Sequence, residues 1–350
     1  MASPARPKAF PAIHEFDLIR ALHRRHGAGD PSILRGIGDD AAVIAPPRNL
    51  RQLVTTDLLA EGIHFDLRTA QCSDVGFRAA AANLSDIAAM GGIPRYMLVA
   101  VAIPRAGTSK QVHQFYKGMM AACRPHKVRL IGGDTSASAG TWFISITLIG
   151  SVPPRRALLR SGARVGDDLY VTGTLGDSLA GLELLRQSRH KSGKHSLLPR
   201  HRQFLIRRHL HPTARVAEGR WLSAQGWATS AIDVSDGLSG DLRHICEESR
   251  IGVEINLSAL PLSPALLAYA NSTGQAPITL ALAGGEDYEL LFTVPSRHRV
   301  RFEQMATAHH VHVTRIGAIK PARAGIHGIF PNGQRRSLPI TSYEHFRSTR

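Results

Sequence analysis

The length, composition and charge of the chain exclude several classes of protein. Its 350 residues are 43% hydrophobic and 20% charged, which is a globular composition with enough length for about two domains. The net charge is +16, but no nucleic-acid-binding motif, zinc-ligand spacing or block of like charge accompanies it, so we do not expect a specific nucleic-acid partner.

Neither a membrane nor secretion is indicated. No apolar run reaches the length of a membrane span, and the basic N-terminal residues lack an apolar signal region, although a targeting role for them stays open. The cysteines Cys72, Cys123 and Cys246 lie far apart and fit neither a disulfide framework nor a zinc knuckle. We therefore expect a cytoplasmic protein.

The first half of the chain predicts alternating strands and helices. Strands are predicted over residues 51–56, 95–103, 128–131 and 142–149, and helices over residues 75–90 and 110–123. Pro153-Pro154-Arg155-Arg156 then breaks the pattern and marks the expected domain boundary.

The second half continues the alternation. We predict strands over residues 168–171, 289–294 and 311–319, a helix over 177–186, a polar surface insertion over 187–201, and a helix that Ser235 or Asp236 opens. The pattern predicts a two-domain fold of the α/β to α+β class, with domains over 14–152 and 155–346.

Six short motifs place carboxylates beside glycine or small hydroxyl residues, each where we expect a strand or helix to end. They are Gly38-Asp39-Asp40, Thr55-Thr56-Asp57, Asn83-Leu84-Ser85-Asp86, Gly132-Gly133-Asp134, Asp233-Val234-Ser235-Asp236-Gly237 and Gly284-Gly285-Glu286-Asp287. The chain has only 27 acidic residues against 43 Lys and Arg. Clustered carboxylates repel one another unless a cation holds them, and hard oxygen ligands suit Mg²⁺, which usually also takes phosphate oxygens. The motifs together predict a Mg²⁺-dependent phosphoryl-transfer enzyme.

Taken singly, each motif also has a simpler structural interpretation. Glycine and aspartate favour turns, and residues 55–57 or 235–236 could cap a helix. For Glu286, contact with a polar substrate and turn formation are equally supported. Asp86 differs, because it lies near the C-terminal end of the helix predicted over 75–90, where the helix dipole disfavours negative charge. A bound cation would compensate there.

Read in order, the motifs resemble those of the thiamine-monophosphate kinases. The matching runs are residues 36–40, 55–57, 64–65, 83–91, 131–135, 160–162, 166–173, 232–238, 284–290 and 343–346. They span nearly the whole chain in unbroken order. The resemblance implies a superfamily of ATP-dependent enzymes that includes aminoimidazole ribonucleotide synthetase and selenophosphate synthetase. It also implies an N-terminal α/β domain whose sheet pairs with its mate in a homodimer, and a C-terminal α+β domain.

The resemblance implies a reaction as well. ATP, as co-substrate, would phosphorylate thiamine monophosphate to thiamine diphosphate, the final step of thiamine diphosphate biosynthesis. The acceptor is a phosphate oxygen that is already largely ionised at neutral pH, because its second pKa is about 6. No general base, and hence no catalytic side chain of that kind, is expected. A sister activity on another phosphorylated or amidated metabolite stays open, because the superfamily shares one ATP-binding fold.

The site residues fall into three predicted groups. Several Mg²⁺ ions would be held by Asp40, Thr55, Thr56, Asp57, Asp86, Asp134, Asp233 and Asp236. By resemblance, ATP would contact Gly133, Asp134, Arg160 and Ser235. Also by resemblance, thiamine monophosphate would contact His64, Glu286 and Tyr343.

Overall fold

The computed structural model describes residues 21–22, 24–25, 30–35, 42–45, 48–187 and 197–338. The chain divides into two compact units, each of which combines separate segments. The first contains residues 1–48, 56–80 and 95–149, and the second contains residues 49–55, 81–94 and 150–350. In the described part of the chain, no helix has both the length and the apolar character needed to cross a membrane.

The N-terminal strands form a four-stranded sheet in the order β3-β6-β4-β5 and a separate β1-β2 pair. The bounds are β1 (Ile33–Arg35), β2 (Val43–Ile44), β3 (Arg51–Ala60), β4 (Ile93–Pro104), β5 (Arg129–Ser138) and β6 (Phe143–Val152). The helices α1 (Cys72–Ala89) and α2 (Ser109–Cys123) accompany them. Strands β4 and β5 run parallel and α2 connects them, as a parallel pair requires a crossover.

Local sequence explains why α2 begins where it does. The Thr108 hydroxyl accepts a hydrogen bond from the N–H of Gln111, and the Gln111 side chain accepts one from the N–H of Thr108, which is a capping box. The helix buries Val112, Phe115 and Met119 against the sheet's core. An amphipathic helix with a satisfied first turn is thus the connection between β4 and β5.

One face of the N-terminal sheet is covered and the other is exposed. Alternate residues of β6, such as Ile144 and Ile146, are fully buried. On the opposite face Leu58 is 58% exposed and Phe143 is 43% exposed. Alternation along a strand sends neighbouring side chains to opposite faces, so this exposed apolar face follows directly from the sequence pattern.

The second unit contains a seven-stranded sheet in the order β13-β12-β9-β11-β7-β10-β8. Its strands are β7 (Asp167–Thr172), β8 (Ser230–Val234), β9 (Ile251–Asn256), β10 (Glu289–Pro295), β11 (Val313–Pro321), β12 (Ile326–Ile329) and β13 (Arg335–Ser337). All neighbouring pairs are antiparallel except β12 and β9, which run parallel. Its core contains Leu169, Val171, Ile232 and Leu291, all at most 2% exposed.

The helices of the second unit follow the strands in chain order. They are α3 (Asp177–Gln187), α4 (Pro199–Leu210), α5 (Val216–Gln225), α6 (Leu238–Ser249), α7 (Pro264–Thr273), α8 (Pro277–Ala283) and α9 (Arg299–Ala308). The sequence predicted α3 and α6 but placed the start of α4 in a surface insertion. Residues 188–196 of that stretch lie outside the described residues, whereas Pro199 to His201 are helical. Pro199 and Arg200 are exposed, as a surface stretch requires, but they already belong to α4.

Two predicted strand ends are also wrong. Strand β3 continues to Ala60 and β5 continues to Ser138, so Thr55-Thr56-Asp57 and Asp134 lie within strands rather than after them. Strand β5 extends this far because its backbone stays paired with β4 up to Ser138, which lies opposite Pro104. The hydrogen-bonded ladder outweighs the low strand preference of glycine and aspartate.

Candidate functional site

The C-terminal end of α1 brings a threonine and an aspartate together in the second unit. Thr55, on β3, donates a hydrogen bond from its hydroxyl to a carboxylate oxygen of Asp86. Burial raises the pKa of Asp86, while the Thr55 hydrogen bond and the positive charge of Arg160 oppose that shift. The last turn of α1 contains no basic residue, so the helix dipole adds to the cost of this negative charge. A cation beside Asp86 would offset both effects.

The preceding residue links the same helix to β8. Buried Ser85 donates a hydrogen bond of 2.7 Å to Oδ2 of Asp233, a residue that is only 4% exposed. Because Ser85 and Asp86 are adjacent, these two hydrogen bonds place Thr55 and Asp233 near the same end of α1. We call Thr55, Ser85, Asp86 and Asp233 the carboxylate cluster.

The turn after Asp233 is held by a carboxylate that the sequence motifs did not indicate. Oδ2 of Asp241 accepts hydrogen bonds from the backbone N–H groups of Ser235, Asp236 and Gly237, at 3.0, 3.1 and 3.1 Å. Burial raises the pKa of Asp241 well above its usual range, and the charges of Asp233 and Asp236 raise it further. Asp241 thus fixes the backbone that carries Ser235 and Asp236.

The same turn corrects the helix-cap interpretation. The N-cap of α6 is Gly237, with φ of +110°, and no side chain caps it. Ser235 and Asp236 are both half-buried and precede the cap. Neither side chain is therefore used as a helix cap, which leaves the capping explanation of this motif wrong.

In the first unit, Asp134 is an exposed residue in the middle of β5. It lies opposite Ala100 of β4 in the parallel register. A Cβ atom at the preceding Gly133 would lie 2.0 Å from the carbonyl oxygen of Val99, so only glycine allows the two strands to approach this closely. The glycine therefore serves strand pairing, and the Asp134 carboxylate that follows it faces solvent.

Strand alternation separates the three residues of the Thr55-Thr56-Asp57 motif. Thr56 is exposed, and its hydroxyl donates to the carbonyl oxygen of Ile146 at 3.1 Å. Asp57 is half-buried and shares the side of β3 that Thr55 occupies. The motif thus sends one hydroxyl to the exposed sheet face, and the other hydroxyl and the carboxylate to the opposite face.

His64 lies in the first unit with a defined hydrogen bond at one ring nitrogen. Its Nδ1 accepts from the backbone N–H of Ala60 at 3.0 Å. An imidazole that accepts at Nδ1 carries its proton on Nε2 when it is neutral. A neutral His64 therefore carries its proton on Nε2.

Glu286 lies in a turn between α8 and β10. Its side chain is 31% exposed, and Oε2 lies 3.5 Å from Nδ1 of the buried His209. The backbone N–H of Glu286 donates to the carbonyl oxygen of Ser235 at 2.8 Å, which joins this turn to the turn after Asp233. The structure thus brings Glu286 next to the segment that carries Ser235 and Asp236.

Known proteins match nearly the whole chain. Residues 38–152 match the AIR synthase related protein, N-terminal domain, and residues 164–328 match the C-terminal domain of the same family. The thiamine-monophosphate kinase of Buchnera aphidicola subsp. Acyrthosiphon pisum (strain APS) is 36% identical over 332 residues, which are 95% of this chain and 98% of the relative. The chain belongs to the thiamine-monophosphate kinase family.

Solved structures of the thiamine-monophosphate kinase family have the same fold. The crystal structure from Stenotrophomonas maltophilia K279a has a TM-score of 0.77 and 35% identity, covering 91% of this chain and 96% of that chain. AaThiL complexed with AMPPCP and TMP has a TM-score of 0.74 and 36% identity, covering 95% of this chain and 97% of that chain. The predicted α/β to α+β fold and the family resemblance are confirmed.

The residues predicted as ligands in this family member lie only partly within the described part of the chain. Among the described residues, no group of three or more His, Cys, Asp or Glu side chains is placed to hold a metal ion. Asp40 and Tyr343 lie outside the described residues. Arg160 is exposed, and its charge acts on Asp86. The roles assigned to individual residues stay predictions.

Three residues around the site were not singled out from the sequence. Ser85 is inside a recognised motif, and its position before Asp86 was a usable signal. Asp241 had no such signal, because an acid in the first turn of a helix is usually solvated or favoured by the helix dipole. Asp287 was noted only as the neighbour of Glu286, although its own side chain is fully buried.

Proposed function

We propose that this chain transfers the terminal phosphoryl group of ATP to thiamine monophosphate, giving ADP and thiamine diphosphate. The observation that carries the proposal is membership of the thiamine-monophosphate kinase family over 95% of the chain. AaThiL, which is 36% identical, is complexed with AMPPCP and TMP. A nucleotide and a phosphate-bearing acceptor are the two ligands that such a transfer needs.

Because the acceptor oxygen is already ionised near neutral pH, the protein's task is to bring two polyanions together in line. Donors such as the Nε2–H of His64 can hold an acceptor phosphate without removing a proton. The guanidinium of Arg160 supplies a positive charge on the side of Asp86. We assign ATP contacts to Gly133, Asp134, Arg160 and Ser235, and acceptor contacts to His64, Glu286 and Tyr343.

The donor set fits Mg²⁺ as the accompanying ion. Thr55 and Asp86 present hard oxygens, and burial disfavours the charge of Asp86 until a cation is present. Mg²⁺ is usually held by one or two carboxylates with phosphate oxygens and water completing its shell, so three converging carboxylates are not required. When bound, the ion neutralises charge between the two phosphate groups. We assign Asp40, Thr55, Thr56, Asp57, Asp86, Asp134, Asp233 and Asp236 to this role.

The domain division and the assembly belong to the same proposal. Residues 14–152 would bind metal and ATP, and residues 155–346 would complete the nucleotide and acceptor sites. A homodimer is supported by the exposed apolar face of the N-terminal sheet, where Leu58 and Phe143 are 58% and 43% exposed. A cytoplasmic location stays a prediction from the sequence.

Asp134→Asn tests the function and the metal assignment together. With ATP, Mg²⁺ and thiamine monophosphate, the wild-type protein forms thiamine diphosphate, measured by chromatography. The variant should fold normally, because Asp134 is exposed. Its turnover should fall by about 10²-fold or more, because a charge at the transferred phosphate is lost.

Glu248→Gln is the matched control, since it removes one exposed acid outside the assigned site. It should retain wild-type turnover. If the wild-type protein forms no thiamine diphosphate, the function is refuted. If Asp134→Asn keeps near-normal turnover, the function stands and the role of Asp134 is wrong.

A further inference from the structure

The turn that carries Glu286 has a strained backbone. Glu286 has φ of +61° and Tyr288 has φ of +53°, a left-handed conformation that residues other than glycine rarely adopt. Asp287, between them, is fully buried, with 0% of its surface exposed. Strain of this kind persists only where surrounding contacts determine the backbone, and it is concentrated at functional sites.

Backbone hydrogen bonds fix one side of this turn. The N–H of Glu286 donates to the carbonyl oxygen of Ser235 at 2.8 Å, and the N–H of Tyr288 donates to that of Val234 at 2.9 Å. Val234 ends β8 and Ser235 follows it. The turn is therefore attached to the strand that carries Asp233 of the carboxylate cluster.

The Asp287 side chain fixes the other side. Its Oδ2 accepts from the N–H of Gly176 at 2.5 Å, and its Oδ1 accepts from the N–H of Ser178 at 3.1 Å. These amides lie at the N-terminus of α3, where N–H groups have no acceptor within the helix and negative charge is favoured. A carboxylate from a distant segment thus caps α3 and ties the Glu286 turn to it.

This contact is maintained although burial opposes it. The pKa of Asp287 is raised to about 7, mainly by burial; the charge of Asp177 adds to the rise, and the charge of Arg208 and the two backbone hydrogen bonds oppose it. Arg208 also donates to the backbone carbonyl oxygen of Asp287 at 3.3 Å and to Glu289 at 2.9 Å. The side chain of Asp287 is thus enclosed by protein groups, and its hydrogen bonds fix the position of the turn that contains it.

We infer that Asp287 is a positioning residue of the acceptor site: by capping α3 it holds the strained turn that presents the Glu286 carboxylate to thiamine monophosphate. The inference rests on the proposed role of Glu286. Asp287 acts through the backbone and makes no contact with substrate. Its loss should therefore change acceptor binding more than ATP binding.

Asp287→Asn in the full chain tests this with steady-state kinetics. Asparagine keeps one acceptor oxygen but turns an NH₂ group toward the second N–H donor, so one hydrogen bond is lost and the turn can relax. We expect the KM for thiamine monophosphate to rise about 10-fold, and the KM for ATP to stay within about 2-fold.

Asp168→Asn is the matched control. Asp168 is another buried carboxylate of the second unit, 1% exposed, and it accepts hydrogen bonds from Arg299 and Arg315 on α9 and β11. Its loss should lower the thermal midpoint without changing either KM. If both variants change the two KM values alike, Asp287 has only a general structural role and the inference is overturned.

Hydrogen exchange of the wild-type protein gives a second test that needs no variant. Because coupling between sites is reciprocal, thiamine monophosphate should increase protection of the amides in a peptide covering residues 173–180, whereas AMPPCP alone should not. Unchanged protection with thiamine monophosphate would overturn the inference. This test can still be made if Asp287→Asn does not fold.

The inference and the proposed function fail in different ways. Absence of wild-type activity with thiamine monophosphate refutes the function. A higher KM for thiamine monophosphate in Glu286→Gln, with no such rise in Asp287→Asn, refutes the positioning role alone.

Discussion

Asp241 and Asp287 are both buried carboxylates whose partners are backbone amides. Asp241 accepts from three N–H groups of one turn, and Asp287 accepts from two at the start of α3. Burial raises the pKa of each. Fixing a turn in this way carries an electrostatic cost that depends on pH.

The stability of the protein should report that cost at Asp287. Its pKa is raised from 3.8 in the unfolded chain to about 7 in the folded protein, mainly by burial. Between these values the folded protein keeps a proton that the unfolded chain has released, so the free energy of unfolding falls as pH rises through this window. The groups that face Asp287 are Arg208, Asp177 and the two amides.

Urea unfolding between pH 4 and pH 8 measures this effect by comparing the wild-type protein with Asp287→Asn. The wild-type protein should lose on the order of a few kcal/mol relative to the variant as pH rises, because the variant has no proton to release there. A difference between the two proteins that is independent of pH would contradict the raised pKa.

At the residue scale, the sequence indicated acids that stand beside glycine or hydroxyl residues, and it missed buried acids whose partners are backbone amides. Asp86, Asp134 and Glu286 stood beside glycine or hydroxyl residues, which is a local signal. The functions of Asp241 and Asp287 depend on which backbone amides the fold brings to them. No spacing along the chain encodes the approach of Asp287 to Gly176.

At the scale of elements, apolar periodicity predicted the helices and strands that bury a wide stripe. It failed for α4, which buries only Leu205 and His209 and is otherwise basic on its exposed face. When the apolar stripe of a helix is this narrow, its pattern of apolar residues resembles that of a polar loop. The predicted β5 ended too early because glycine and aspartate indicated a turn, whereas its pairing with β4 continues through these residues.

Gly133→Ala tests how far β5 depends on the close approach to β4. The added Cβ would lie 2.0 Å from the carbonyl oxygen of Val99, so the strands must separate. We expect a loss of about 2 kcal/mol or more in the free energy of unfolding, measured by urea titration.

Gly140→Ala is the control within the same unit. A Cβ there meets no atom within 4 Å, so stability should change by less than about 0.5 kcal/mol. Equal stability of the two alanine variants would show that β5 tolerates displacement from β4.

At the scale of the whole molecule, the exposed face of the N-terminal sheet predicts self-association. Leu58→Asp places a charge on that face, and burying it against a second copy would be costly. Sedimentation velocity should find a dimer for the wild-type protein and a monomer for the variant.

Val300→Asp controls for a general effect of new surface charge. Val300 is 67% exposed on α9 of the second unit, and its variant should sediment as the wild type does. A wild-type protein that stays monomeric at micromolar concentration would disprove the homodimer.

The order of strands in the second unit has a consequence for biosynthesis. Strand β10 lies between β7 and β8 and pairs with both, yet it is made after them. Translation at 5–20 residues per second takes roughly 6–25 s to pass from the end of β7 to the end of β10. During that interval β7 lacks both of its partners, and β8, from the time it is made, has no neighbour in the sheet. We therefore expect nascent chains of this length to expose unpaired strand edges, the kind of surface that chaperones bind before the second unit is complete.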